Sequence, residues 1–186
     1  MARTFSNMLS LGTIAPDFNL MDTISGFKKS LTELKGDKGT VIMFICNHCP
    51  YVIHVNEGLV KVASDYMNKG VSFIAISSND VKNYPDDSPE LMKENALKNN
   101  YPFPYLYDET QEVAKDYDAA CTPDIYLFDE NLKLIYRGQL DDSRPQNEIP
   151  VTGSDLRNAI DCLIMKKPNN CTQKPSLGCN IKWKEV

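Results

Sequence analysis

Six cysteines, at positions 46, 49, 121, 162, 171 and 179, are the residues of this 186-residue chain most able to do chemistry. Cys46 and Cys49 stand in FICNHCPY with two residues between them. At a helix N-terminus that spacing brings two sulfurs within bonding reach, the first exposed and the second tucked beneath it. Unpaired N–H groups and the positive end of the helix dipole favour a thiolate there. The thiolate is the form that attacks disulfides and peroxides. Pro50 fits the first turn, where a missing N–H is tolerated. His48 stands between the pair, where an imidazole can stabilise a Cys46 thiolate; that favours the reduced pair and makes its disulfide more oxidising. A solvated loop residue is the plainer reading of His48, and His54, deeper in the helix, is a packed or surface histidine. Two other readings of the pair stay open. The spacing can be chance, or half of a zinc site completed by Cys171 and Cys179 or by the two histidines. The seven residues between Cys171 and Cys179 exceed the usual two to four of a zinc knuckle.

The elements around the pair suit the redox reading. Thr40 to Ile45 is a continuous apolar run, as expected of a strand buried on both faces. From Pro50 to Lys69, Val52, Val55, Leu59, Val62 and Tyr66 form one helical stripe, and Gly70 is a stop signal. Residues 16–35 read as a strand, a turn at Ser25-Gly26 and a helical turn; residues 71–77 read as a second buried strand. A polar loop over 79–90 follows, then a helix from Pro89 to about Asn99 capped by Ser88, and a short helix from Glu109 to Tyr117. Residues 124–128 and 132–136 pattern as a hairpin, and a last helix starts at Ser154. This alternation predicts a mixed sheet covered by helices on both faces. Thr122-Pro123 precedes the hairpin. Such a turn, with its X-Pro bond a candidate for the cis form, can lie beside a dithiol and offer the Thr122 backbone to an extended substrate.

Composition narrows the function. The chain is 42% hydrophobic and 24% charged, a globular balance for one domain. A net charge of −5 argues against nucleic-acid binding. No apolar run approaches the ~20 residues of a membrane span. The N-terminal MARTFSNMLSLGTIAPDF lacks an apolar stretch of signal length, so a cytoplasmic location is expected. In a reducing compartment structural disulfides are exceptional, and spaced cysteines point to redox or metal chemistry.

The motifs together resemble a known family. Gly12 to Phe18 (GTIAPDF) is similar to the opening of the peroxiredoxin and alkyl hydroperoxide reductase/thiol-specific antioxidant superfamily. The blocks FICNHCPYV, SSNDVKNYPDDSPE, YPFPYLYDETQEVAKDYDAACTPD, YRGQLDDSRP and PSLGCNIKW resemble its peroxiredoxin-like redoxin branch, over residues 11–183. The resemblance implies an α/β, thioredoxin-like fold, a central mixed β-sheet flanked by helices with an N-terminal β-hairpin extension. The chain divides into a redoxin domain at 1–165 and a polar C-terminal tail, expected to dock on it, at 166–186. The resemblance implies Cys46 as the exposed nucleophile, Cys49 as its resolving partner and Pro123 as a cis proline facing them. The implied activity is a thiol–disulfide oxidoreductase of peroxiredoxin-like, antioxidant type. Its substrates would be protein disulfides or hydroperoxides, its reductant of thioredoxin or glutathione type, its assembly a monomer or homodimer, with no cofactor and no metal.

The chain also departs from that pattern. If Cys49 is aligned with the peroxidatic cysteine, Cys46 stands where the family's T-x-x-C threonine would be, which puts fast peroxide reduction in doubt. Thr40 stands where thioredoxins bury an acid, so proton transfer at Cys49 needs another base or water. Arg137 is either the family's active-site cation or a surface charge. Cys121 is a third redox thiol or an inert half-buried one, and Cys162 belongs to the core. Cys171 and Cys179 bridge each other, stay free, or Cys179 reaches the pair as a resolving thiol; Trp183 docks the tail. The alternative function is a metal–thiolate protein holding a soft ion on Cys46, Cys49 and His48, or a non-catalytic redoxin scaffold.

Overall fold

The computed structural model describes residues 3–185. In chain order the strands and α-helices are β1 (Arg3–Phe5), β2 (Asn19–Asp22), β3 (Lys28–Ser30), α1 (Leu31–Leu34), β4 (Gly39–Phe44), α2 (Pro50–Tyr66), β5 (Val71–Ser77), α3 (Pro89–Lys98), β6 (Tyr105–Tyr107), α4 (Glu112–Asp116), β7 (Cys121–Thr122), β8 (Asp124–Asp129), β9 (Leu134–Gly138), α5 (Ser154–Ile164) and β10 (Leu177–Asn180).

The apolar run at 40–45 becomes the middle of a seven-stranded sheet, order β3-β2-β6-β5-β4-β8-β9, and every residue of β4 is buried. β4 pairs parallel to β5 and antiparallel to β8, placing Phe44 opposite Asp124. Alternation along β4 divides the core. Val41 and Met43 face α2, α3 and α5 through Val55, Leu59, Met92 and Ile160, while Ile42 and Phe44 face the layer holding Leu31, Ala114 and Tyr117. The predicted stripe is the buried face of α2. The α-helix ends at Tyr66, three residues short of the prediction, in a 3-10 turn over Met67–Lys69. Gly70 closes it at φ 88°, a left-handed conformation that glycine adopts without strain.

The early segment folds as the β2–β3 hairpin, turning at Gly26, followed by α1 under a Ser30–Glu33 capping box. The helix predicted over 109–117 shortens to α4, because Gln111 sits at φ 65° and holds the chain out of helical geometry until Glu112. The larger departure is the C-terminal region. Residues expected to form a polar tail supply β10, the middle strand of a second sheet, β1-β10-β7. Ile181 and Lys182 beyond it are buried, tied by the Ile181 N–H to the Ala120 carbonyl at 3.1 Å and by the Lys182 N–H to Asn79 at 2.8 Å. Trp183 does not anchor this region: it is 40% exposed, with Lys115 over its ring.

On the sheet face away from α2, Asp124 is fully buried. One carboxylate oxygen accepts from the Ala120 N–H at 3.2 Å. Burial pushes its pKa up to about 7.

Candidate active site

Cys49 is the N-cap of α2 and Pro50 its first residue, so the pair sits where β4 runs out and the helix begins. β8 continues from Pro123 alongside β4, and this pairing carries Thr122 to the two sulfurs. The Thr122–Pro123 peptide is cis. The Cys46 Sγ lies 3.4 Å from the Thr122 hydroxyl. In its protonated form the Cys49 thiol donates to the Thr122 carbonyl at 3.1 Å. A hydroxyl is therefore present at Cys46 although the threonine of T-x-x-C is missing from the helix.

Two expectations about the sulfurs are corrected. Cys46 is 2% exposed and Cys49 fully buried, so neither lies open on the surface. Thr122 and the β10 strand close one side, and Cys46 instead forms part of the wall of a 430 Å³ cleft with Asn47, Asn95 and Tyr101. The electrostatics of the pair also favour the charge on the other sulfur. A hydrogen bond from the Cys46 thiol, aided by Cys179 and Thr122, outweighs burial and pushes Cys49 down to about 5. Cys46 is raised well above the usual thiol range by that same bond to Cys49, by burial and by the Asp87 carboxylate. The two thiols titrate as one pair with a proton between them.

His48 does not turn to Cys46. Its Nδ1 lies 2.7 Å from the Asp87 carboxylate and its ring stacks on Tyr84, centroids 5.6 Å apart. The contact with Asp87 raises the His48 pKa. Asp87 is fully buried. Burial pushes its carboxyl up, but hydrogen bonds from His48, Asn79 and the Asn47 N–H outweigh it, and the pKa falls below the usual carboxylate range. Asp87 thus fixes the Asn47–His48 turn between the cysteines. Sequence reading missed it by treating 79–90 as a solvated loop; the weak signal was an acidic pair, Asp86-Asp87, just before the Ser88-Pro89 helix start. Among the described residues, Cys46, His48 and Asp87 have ligand atoms within 4.8 Å of one another, so the metal-capable set contains Asp87 where Cys49 was expected.

The other candidates separate. Cys179 is buried opposite Thr122 in the β10–β7 pair and hydrogen-bonds Cys49, which brings a third thiol to the dithiol. Cys121 is buried with its thiol toward the Pro123 carbonyl at 3.5 Å, and burial raises its pKa strongly, which disfavours its thiolate. Cys162 is half-buried rather than core, and Cys171 is exposed near Asn158. All six cysteines are unbonded, and Cys171 lies apart from the buried Cys179. Arg137 donates to Gln173 at 2.8 Å on the outer strand β9 and supplies no charge to the dithiol. His54 bonds Ser143 at 2.7 Å.

The Thr122 backbone, expected to be free for a substrate, is occupied by the chain's own β10. Cys179 stands opposite Thr122, and Gly178 approaches so closely that a Cβ there would overlap the Thr122 carbonyl.

Comparison with known proteins settles the family: residues 11–137 match the AhpC/TSA family. The chain belongs to the AhpC/TSA family. Among curated proteins none matches this AhpC/TSA chain. Among solved structures, an uncharacterized conserved protein from Geobacillus kaustophilus is 61% identical at TM-score 0.98, covering 100% of this chain and 98% of that one. A hypothetical protein from Sinorhizobium meliloti is 45% identical at TM-score 0.96, covering 98% and 100%. The thioredoxin domain of a thiol-disulfide oxidoreductase from Bacteroides vulgatus is similar at TM-score 0.65 and 21% identity, covering 84% and 99%; at that identity it speaks for the fold alone. The fold of this AhpC/TSA chain is thioredoxin-like, a mixed sheet between helical layers.

Proposed function

We propose that the protein is a thiol–disulfide oxidoreductase in which Cys46 and Cys49 cycle between dithiol and disulfide. The observation that carries this reading is the placement of the pair at the start of α2, both sulfurs against Thr122 of the cis turn and Cys46 in the wall of the cleft. In the resting monoanion the charge sits on Cys49 and Cys46 keeps its proton. Passing that proton to Cys49 moves the charge to Cys46 beside the cleft, where it attacks a disulfide sulfur. One thiol of the substrate leaves and a mixed disulfide forms on Cys46. Cys49, losing the proton again, attacks the Cys46 sulfur, releases the second thiol and closes the Cys46–Cys49 bond. The Thr122 hydroxyl at 3.4 Å steadies the charge on Cys46 during attack. Disulfide exchange is favoured over peroxide reduction, because Arg137 is held at Gln173 and is not turned to Cys46 to polarise a peroxide.

The test is turnover of disulfide and of hydrogen peroxide by wild type, Cys46→Ser and Cys49→Ser. Cys46→Ser abolishes both turnovers, Cys49→Ser stops at a mixed disulfide, and wild type prefers the disulfide. Unchanged turnover in Cys46→Ser would reject the reading. The metal reading has one supporting observation, the Cys46–His48–Asp87 cluster. Its Asp87 oxygens are already occupied by Asn47, Asn79 and His48, so elemental analysis of purified protein is expected to find no stoichiometric metal.

A further inference from the structure

Two routes lead toward the dithiol, and they differ in what they admit. Along β7, where an extended polypeptide would lie, the edge is filled. β10 pairs with Cys121 and Thr122, and Gly178 lies hard against the Thr122 carbonyl. β10 is itself held on its other edge by β1 and locked beyond its end, the Gln111 side chain donating to the Lys182 carbonyl at 2.8 Å. The void beside Pro123 and Leu177 measures 20 Å³, room for about one water. The second route is the 430 Å³ cleft at Cys46. That volume matches a small ligand rather than a protein segment.

The cleft's chemistry is amide-rich. The Asn95 amide donates to Asn47 at 3.2 Å, the Asn99 amide to Asn95 at 2.9 Å, and the Tyr101 hydroxyl to Asn56 at 2.7 Å. Side-chain amides held in fixed orientation both donate and accept, as peptide amides do. Glu57 and Lys98 also line the cleft and are exposed, one charge of each sign. Such a pair complements the ammonium and carboxylate ends of a short peptide.

We propose that the cleft between α2 and α3 is a binding site for a low-molecular-weight peptide thiol and its disulfide, and that such a molecule, not a protein disulfide, exchanges with Cys46. The inference rests on the dithiol reading above and names its partner. The oxidised peptide loses one thiol as Cys46 bonds the other half. Attack by Cys49 on Cys46 then releases that half, so two electrons pass from the dithiol to one peptide disulfide and two peptide thiols leave. The reverse sequence, through the same cleft, reduces the protein.

Three probes test it by stopped-flow oxidation of the reduced protein: oxidised glutathione as the zwitterionic peptide disulfide, hydroxyethyl disulfide as a small disulfide without amides or charge, and insulin as the protein disulfide. Wild type reacts with oxidised glutathione roughly tenfold or more faster than with insulin. Lys98→Glu and Glu57→Lys, both on exposed positions, slow the glutathione reaction by about tenfold and leave the hydroxyethyl disulfide reaction unchanged. Insulin reacting as fast as oxidised glutathione, or both variants slowing the two small probes equally, overturns the inference while leaving the dithiol intact. No Cys46–Cys49 disulfide with any probe overturns the dithiol reading and the inference with it.

Discussion

Cys49 owes its acidity to its neighbours more than to the helix: the Val52 N–H contributes last among the causes, and the bond from Cys46 is the largest. Replacing Cys46 by Ala removes that donor, so the midpoint of the Cys49 thiolate absorbance should move upward from the wild-type value; an unmoved midpoint would return the credit to the helix terminus. The spacing of the two cysteines was legible because their chemistry is local. The choice of which sulfur holds the charge was not, since it depends on Thr122, Cys179 and Asp87, each brought in by long-range pairing with no local periodicity. Asp124 gives a second residue-scale prediction. Its pKa is raised from 3.8 to about 7, so the folded chain holds a proton that the unfolded chain releases, and stability falls as pH rises between those values. Asp124→Asn should flatten that slope in urea-melt stabilities measured across the window; a slope equal to wild type would show that the carboxyl is not the cause.

β4 and α2 could be read directly, the first from an unbroken apolar run and the second from a three-and-four stripe, because each buries a face whose period the sequence displays. β10 could not. It is four residues long, LGCN, and lies between polar stretches. Its partner β7 is two residues long. What makes it a strand is the fit of Gly178 against the Thr122 carbonyl, a contact available to glycine alone. Gly178→Val should therefore push β10 off β7 and lower stability by roughly 1–3 kcal/mol, the usual result of overpacking. The buried Cys179 should then react with a maleimide at a rate approaching that of exposed Cys171. A variant with Cys179 still protected would mean that β10 is held by β1 and Lys182 without β7. α4 teaches the same lesson on a smaller scale: the positive φ of Gln111, which delays its start, leaves no mark in composition.

The C-terminal segment packs on the body as far as Ile181 and Lys182, because those residues are buried and bonded to Asn79, Asp80 and Gln111. A chain ending at Met165 should lose roughly 3–5 kcal/mol, the scale of removing a large buried side chain together with its hydrogen bonds. Calorimetry showing the same melting temperature would mean that these contacts add nothing to stability. The doubly covered sheet itself was predictable from the alternation of strand and helix. The closing of the site by residues far downstream was not, since nothing near Thr122 announces a partner at Cys179. That separation has a consequence in time. A ribosome delivers β7 well before it delivers β10, so during synthesis the nascent chain carries its sulfurs uncovered, and the final stitch of the second sheet withdraws them from passing polypeptides.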